Sequence, residues 1–347
     1  MSQKNETIPL VLAFVLTAAL LGGGGWWLLR RFSNSSLNNP SPQNNNTVTG
    51  SSQVSTFAQV AGVPTGLFNY GGSTTWAPIR KEVDSAIQTV WPEFKLRYTD
   101  HPTKAPGSGT GIEMLLKGQL AFSQSSRSLK DEEYEQASQR GFTLEEIPVA
   151  IDGIAIAVNP DLNISGLTLG QLQDIYTGKI TNWNEVGGPN LSITPYSRRL
   201  EDGGTVEFFV DNILAETDFG ENVEFIPTTT EAIRVVAENQ GGIYYASAPE
   251  IVPQCTIKSL PLASNSGEEF ISPYEEPFVP LSQCPNQRNG LNNEAFQTGT
   301  YPITRRLFVI VKKNGQDDEK AGGAYADLLL SNQGQKLVRE AGFVNIR

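Results

Sequence analysis

The sequence predicts an α/β fold in two lobes, and three observations carry that expectation. Short β-type runs alternate with amphipathic helical runs along most of the chain. At 347 residues the chain is long enough for two domains or lobes, each with its own core. Four of its strand-to-helix junctions are built alike, from glycine and hydroxylated residues.

After a short flank at 1–7, residues 8–29 (IPLVLAFVLTAALLGGGGWWLL) carry no charge. At about 1.5 Å per residue that length spans a bilayer core of roughly 30 Å. Trp26 and Trp27 fall where an interfacial aromatic belt would lie. A cleaved signal peptide is the competing reading, but no small-x-small site with a polar start follows, which favours an uncleaved anchor. Lys4 on one side and Arg30 and Arg31 on the other leave the orientation close to neutral. Residues 30–61 form the expected linker. Its stretch SNSSLNNPSPQNNNTVTGSSQVST is nearly free of large apolar residues and reads as a flexible tether with ends about 25–30 Å apart.

The first helix follows FNYGGSTTWAP, with Pro78 in its first turn and Ile79, Val83, Ala86, Ile87 and Val90 as its apolar face. A second follows APGSGTG, with Ile112, Leu115 and Leu116 apolar and Gly118 near its end. A third follows AFSQSSRS, where Ser128 and Asp131 match a capping box and the run DEEYEQ reads as a solvated face. The fourth follows YSRRLEDGG. There Val206, Phe209, Val210, Ile213 and Leu214 recur at helical spacing behind Arg198, Arg199 and a glycine pair. Free N–H groups at a helix start carry about half a positive charge, so these junctions suit an anion; Thr205 as a plain N-cap is the alternative. Four such junctions suggest convergence on one ligand rich in acceptor oxygens.

A net charge of −11 without a Lys/Arg-rich run argues against nucleic acid as a partner, yet leaves a small anion open. His101 is the single histidine and reads as a surface residue, so a catalytic triad or zinc site is not expected. GxSxG, SxxK, HExxH and GxxxxGK[ST] are all absent. No enzyme, metal or cofactor is expected. Cys255 and Cys284 allow either a disulfide, closing a loop worth about 3–4 kcal/mol, or two buried thiols.

The segments GGSTTWAP, GSGTGIEMLLKGQLAFSQSSRSL, DGIAIAVNP, LGQLQDIYTGKITNWNEVGG, GGIYYAS and YPITRRLFVIV occur in an order and spacing that resemble the phosphate-binding proteins of ABC-type phosphate transporters. These are a branch of the type II periplasmic binding proteins, and the likeness covers nearly all of 66–347. It implies a hinge of two crossing strands near 149–153 and 298–304. Lobe 1 then comprises 62–150 and 303–347, and lobe 2 comprises 151–302.

The resemblance further implies a phosphate site of Thr74, Thr75, Ser108, Ser126, Arg199, Gly203, Gly204 and Thr205. Arg198 is then a neighbour, and Glu201 holds Arg199. Arg127 is a ligand, a supporting residue or half of a surface salt bridge; Asp152 balances Arg127 or accepts a phosphate proton. Gly203 stands where the family usually has serine. Ser126 stands where some members carry the aspartate that rejects unprotonated sulfate. The implied role is capture of inorganic phosphate by a monomer in the periplasm or on the outer face of the cytoplasmic membrane, for delivery to an ABC permease. Sulfate binding and membrane-tethered sensing are the alternatives.

Overall fold

The computed structural model describes residues 54–200 and 203–346. The expected flank, membrane span, most of the linker and Glu201 lie outside the described residues. Folded structure starts earlier than the expected linker end. Phe57 is fully buried, and the N–H groups of Asn332 and Gln333 donate to the carbonyls of Val54 and Ser55.

Eleven strands appear among the described residues: β1 (Gly66–Gly72), β2 (Phe94–Tyr98), β3 (Phe122–Ser125), β4 (Thr143–Val158), β5 (Leu167–Thr168), β6 (Thr194–Ser197), β7 (Glu224–Phe225), β8 (Gly242–Ser247), β9 (Lys258–Leu260), β10 (Leu262–Ala263) and β11 (Thr304–Lys313). The main sheet runs β2-β1-β3-β11-β4-β8-β6-β7, with β9 also on β4; β5 pairs with β10. The β1 pairs with β2 and β3 are parallel, as are those of β6 with β7 and β8. β11 and β4 run antiparallel to their neighbours and to each other.

Helices α1 (Ala77–Val90), α2 (Ser108–Leu116) and α3 (Asp131–Gln139) belong to lobe 1. Lobe 2 carries α4 (Leu169–Tyr176), α5 (Gly204–Asn212), α6 (Thr229–Glu238), α7 (Ala248–Ile251) and α8 (Asn293–Thr298). The chain then returns to lobe 1 for α9 (Asp317–Leu330) and α10 (Asn332–Glu340). None of the described helices is long and apolar enough to cross a membrane.

Alternation along β11 fills both faces of the lobe 1 sheet. Leu307, Val309 and Val311 enter the core under α1 and α9, while Phe308 and Ile310 meet Ile112 and Leu115 of α2. β4 is one continuous strand through both lobes: Val149 and Ala150 lie in the first core, Ile154–Val158 in the second. β11 crosses between Ile303, in the second core, and Leu307, in the first. Near the C-terminus Val344 joins the second core and exchanges backbone hydrogen bonds with Ile151. Cys255 and Cys284 form a disulfide, which settles the open alternative.

The third helix is capped differently from the expected Ser128–Asp131 box. Lys130 is its N-cap, and the Lys130 N–H donates to Glu133 Oε2 at 2.8 Å. Glu133 is also not a solvated residue, because it pairs with the buried Arg127.

Candidate functional site

Three of the look-alike junctions lie at the C-terminal ends of lobe 1 strands. β1 ends at Gly72, where any side chain would collide with the Gln124 carbonyl (2.2 Å from an added Cβ), so β1 and β3 can close up only with glycine there. The chain then turns through Ser73 and Thr74–Trp76 into α1. This turn is held from below: Arg80 Nη1 donates to the Ser73 carbonyl (3.1 Å) and to Gln124 Oε1 (3.0 Å), with its guanidinium 3.9 Å from the Tyr98 ring centre. Trp76 Nε1 donates to the Ser125 carbonyl at 3.1 Å.

Ser108 opens α2, and Ser126 comes from the end of β3 rather than from the α3 start. The Ser126 N–H donates to Ser108 Oγ (3.0 Å), and Ser126 Oγ lies 3.0 Å from Ser73 Oγ and 3.1 Å from Ser108 Oγ. All three serines are fully buried.

The fourth junction reaches this cluster from lobe 2. α5 starts at Gly204 with Gly203 as N-cap, so Thr205 is a helical residue and not the cap. A Cβ on Gly204 would stand 2.6 Å from Ser126 Oγ and 2.9 Å from Ser108 Oγ; only glycine lets the α5 backbone approach the hydroxyls. Thr205 Oγ1 faces Thr75 Oγ1 at 3.4 Å, and a Cβ on Gly203 would stand 3.1 Å from Thr74 Oγ1. Thr74, Thr75, Ser108, Ser126, Gly203, Gly204 and Thr205 are therefore brought together, with the α2 and α5 N-termini between them.

Beside the cluster lies a cavity of about 210 Å³, lined by Thr74, Thr75, Arg198, Thr205, Tyr244, Tyr245, Ser247 and Glu250 among others. That is smaller than the about 300–1,000 Å³ of sites for drug-sized ligands, and suits a small solute. Burial pushes the Tyr244 hydroxyl up to about 12, so it stays a neutral donor at ordinary pH. Glu250 is an exposed residue of the cavity lining, with protein packed around its carboxyl. That desolvation, with Asp152 nearby, holds it above the usual carboxylate range.

The arginines part from expectation. Arg198 lines the cavity, whereas Arg199 lines a different groove with Leu200, Val210, Phe219 and Phe225, its guanidinium 5.9 Å from the Phe225 ring centre. Consecutive residues leaving a strand point to opposite sides, so one guanidinium at most turns inward; the exit from β6 selects Arg198.

Arg127 is neither at the cavity wall nor paired with Asp152. It is an ion-pair hub between lobes: Nη2 and Nη1 donate to the Glu133 carboxylate (2.8 and 3.0 Å), and Nε donates to Glu207 Oε1 on α5 (2.9 Å). Asp152 is 1 % exposed and holds Arg305, which sequence reasoning missed. Arg305 Nε and Nη2 donate to Asp152 Oδ2 (3.0 and 2.8 Å), and Ser247 Oγ donates to Oδ1 (2.5 Å). Both carboxylate oxygens are thus occupied by the protein. Burial raises the Asp152 carboxyl above its usual range, opposed by Arg305. A signal did exist: one aspartate interrupts the apolar run of β4, two arginines precede that of β11, and the register sets Arg305 opposite Asp152.

No cluster of His, Cys, Asp or Glu able to hold a metal occurs among the described residues. His101 Nδ1 accepts the Lys104 N–H at 3.1 Å in a turn.

Known proteins share this arrangement of lobes. The phosphate-binding protein PstS of Staphylococcus epidermidis is 27% identical over 277 residues, covering 79% of this chain and 77% of that protein. PstS of Pseudomonas aeruginosa is 26% identical over 291 residues, with 79% and 84% covered. Among solved structures, an ABC-type phosphate transport receptor from Vibrio cholerae superposes with a TM-score of 0.63 at 21% identity, covering 80% of this chain and 99% of that one. PstS from Borrelia burgdorferi gives 0.55 at 24% identity, with 81% and 99% covered. A family model described as a PBP superfamily domain matches residues 46–333, and with two α/β lobes meeting over a small cavity, the chain belongs to the PBP superfamily.

Proposed function

We propose that this protein captures inorganic phosphate between its lobes, outside the cytoplasmic membrane, and delivers it to an ABC permease. The observation that carries the reading is the meeting of helix starts and hydroxyls from both lobes beside Arg198 and a small cavity. N–H groups at helix starts, hydroxyl donors and a guanidinium suit an ion whose periphery is all oxygen. The ligand set is Thr74, Thr75, Ser108, Ser126, Gly203, Gly204 and Thr205, with Arg198 in the role first given to Arg199. The protein works as a monomer held at the membrane by residues 8–29, and the role is binding, not catalysis. The PstS names of its relatives support the phosphate assignment.

Glu250 favours phosphate over sulfate. A carboxylate in the wall of an anion cavity repels an ion that has no proton, whereas phosphate retains one to donate. Calorimetry on the full chain tests the reading, with phosphate and sulfate titrated separately; no heat with phosphate at millimolar concentration defeats it. Arg198→Ala is expected to weaken phosphate by about 2–4 kcal/mol, and Arg199→Ala by less than about 0.5 kcal/mol. Equal losses for the two variants contradict the choice of Arg198. Glu250→Gln is expected to narrow the phosphate-to-sulfate ratio about tenfold, or about 1.4 kcal/mol, in paired titrations.

A further inference from the structure

We propose that Arg305 is a positioning residue that fixes the hydroxyls of Thr75 and Thr205, one on each lobe, as donors toward the cavity. This rests on the phosphate reading above. Arg305 is 4 % exposed and stands on β11 opposite Asp152. Besides its contacts to Asp152, Nη2 donates to Thr75 Oγ1 (3.0 Å) and Thr205 Oγ1 (2.9 Å), and Nη1 donates to the Gly204 carbonyl (3.1 Å).

Nη2 has two N–H groups and no acceptor; one goes to Asp152 Oδ2, and the two threonine oxygens share the other, so both accept. A hydroxyl has a single proton, and in each threonine that proton must point away from Arg305. The two hydroxyls are 3.4 Å apart, beyond the about 2.5–3.0 Å of a good O–H···O bond, so neither is well satisfied by the other. Both line the cavity. The open direction for each proton is a ligand oxygen. Without Arg305 each threonine could equally turn a lone pair inward.

Asp152 gives this device its second property. By neutralising the guanidinium, it leaves Arg305 little net charge to lend to an anion. What Arg305 contributes is orientation, and the preference it builds is for a ligand presenting acceptors to both lobes. Arg305 also touches the Gly204 carbonyl, the hinge strand β4 and the lobe 1 turn, so it sets both donors in one frame.

The test is calorimetry with inorganic phosphate on the full chain. Absence of binding by the unaltered chain defeats the phosphate reading itself and is seen before any variant is made. Given binding, Arg305→Lys, which keeps the charge but loses the fork, is expected to weaken phosphate at least tenfold. In a Thr75→Val/Thr205→Val background the same change is expected to cost less than twofold. Equal losses in both backgrounds overturn the proposal, because a merely structural arginine acts regardless of the hydroxyls. If Arg305→Lys does not fold, arginine side-chain NMR of the unaltered chain decides. Saturating phosphate should leave the Arg305 Nη2 signals nearly in place, while the double valine variant shifts them. Phosphate shifts as large as those of the valine variant mean that the threonines abandon Arg305 on binding, and the proposal fails.

Discussion

Asp152→Ala is expected to lower the unfolding free energy by about 3–5 kcal/mol, read from urea denaturation at neutral pH. Breaking one side of a buried ion pair costs more than the pair itself contributes, because the remaining charge stays out of water. The Arg305 guanidinium is buried, so without Asp152 its charge stays largely out of water. Ser247 loses its acceptor in the same step. Removing both charges is a milder change: Asp152→Leu/Arg305→Met is expected to recover most of the loss, since apolar isosteres often replace a buried pair at little cost. A double variant as unstable as Asp152→Ala contradicts this account.

Arg127→Ala is expected to cost about 2–3 kcal/mol and to shift the protein toward a more open arrangement, seen as a larger radius of gyration by small-angle scattering. Arg127 is 7 % exposed and engages Glu133 of lobe 1 and Glu207 of lobe 2 through charge-assisted hydrogen bonds. Its loss sets these carboxylates against each other with Lys130 nearby, 3.9 Å from Glu207 and 3.6 Å from Asp211. Lys130 is half exposed and screened by salt, so it offsets little of the loss. Glu207→Gln should open the lobes with a smaller loss of stability, because the bidentate Glu133 contact survives. An unchanged radius in both variants means that Arg127 does not hold the lobes together.

The fold class was legible because periodicity is local: the alternation in β11 and the apolar stripes of α1 and α2 are visible in windows of ten residues. The loop residues that meet beside the cavity were legible for the same reason, since glycine and hydroxyls mark a helix start wherever it packs. Which of the two arginines faces the cavity was not legible, because the direction depends on how β6 pairs with β8, which sequence spacing does not reveal. The Asp152–Arg305 pair joins positions 153 apart, and its register exists only once β4 and β11 are aligned. The α3 cap was misplaced because Glu133 competes successfully with Ser128 as the group that satisfies the helix start.

Lobe 1 draws an interior strand, β11, and its last two helices from the end of the chain, whereas the strands and helices of lobe 2 come from one unbroken stretch between the crossings. During vectorial synthesis lobe 2 therefore has its strands and helices before lobe 1 does. Until residues 304–313 emerge, β3 and the first half of β4 have a bare edge apiece where β11 will insert, each open to pairing with another chain. Keeping the nascent polypeptide soluble through that interval falls on whatever escorts it.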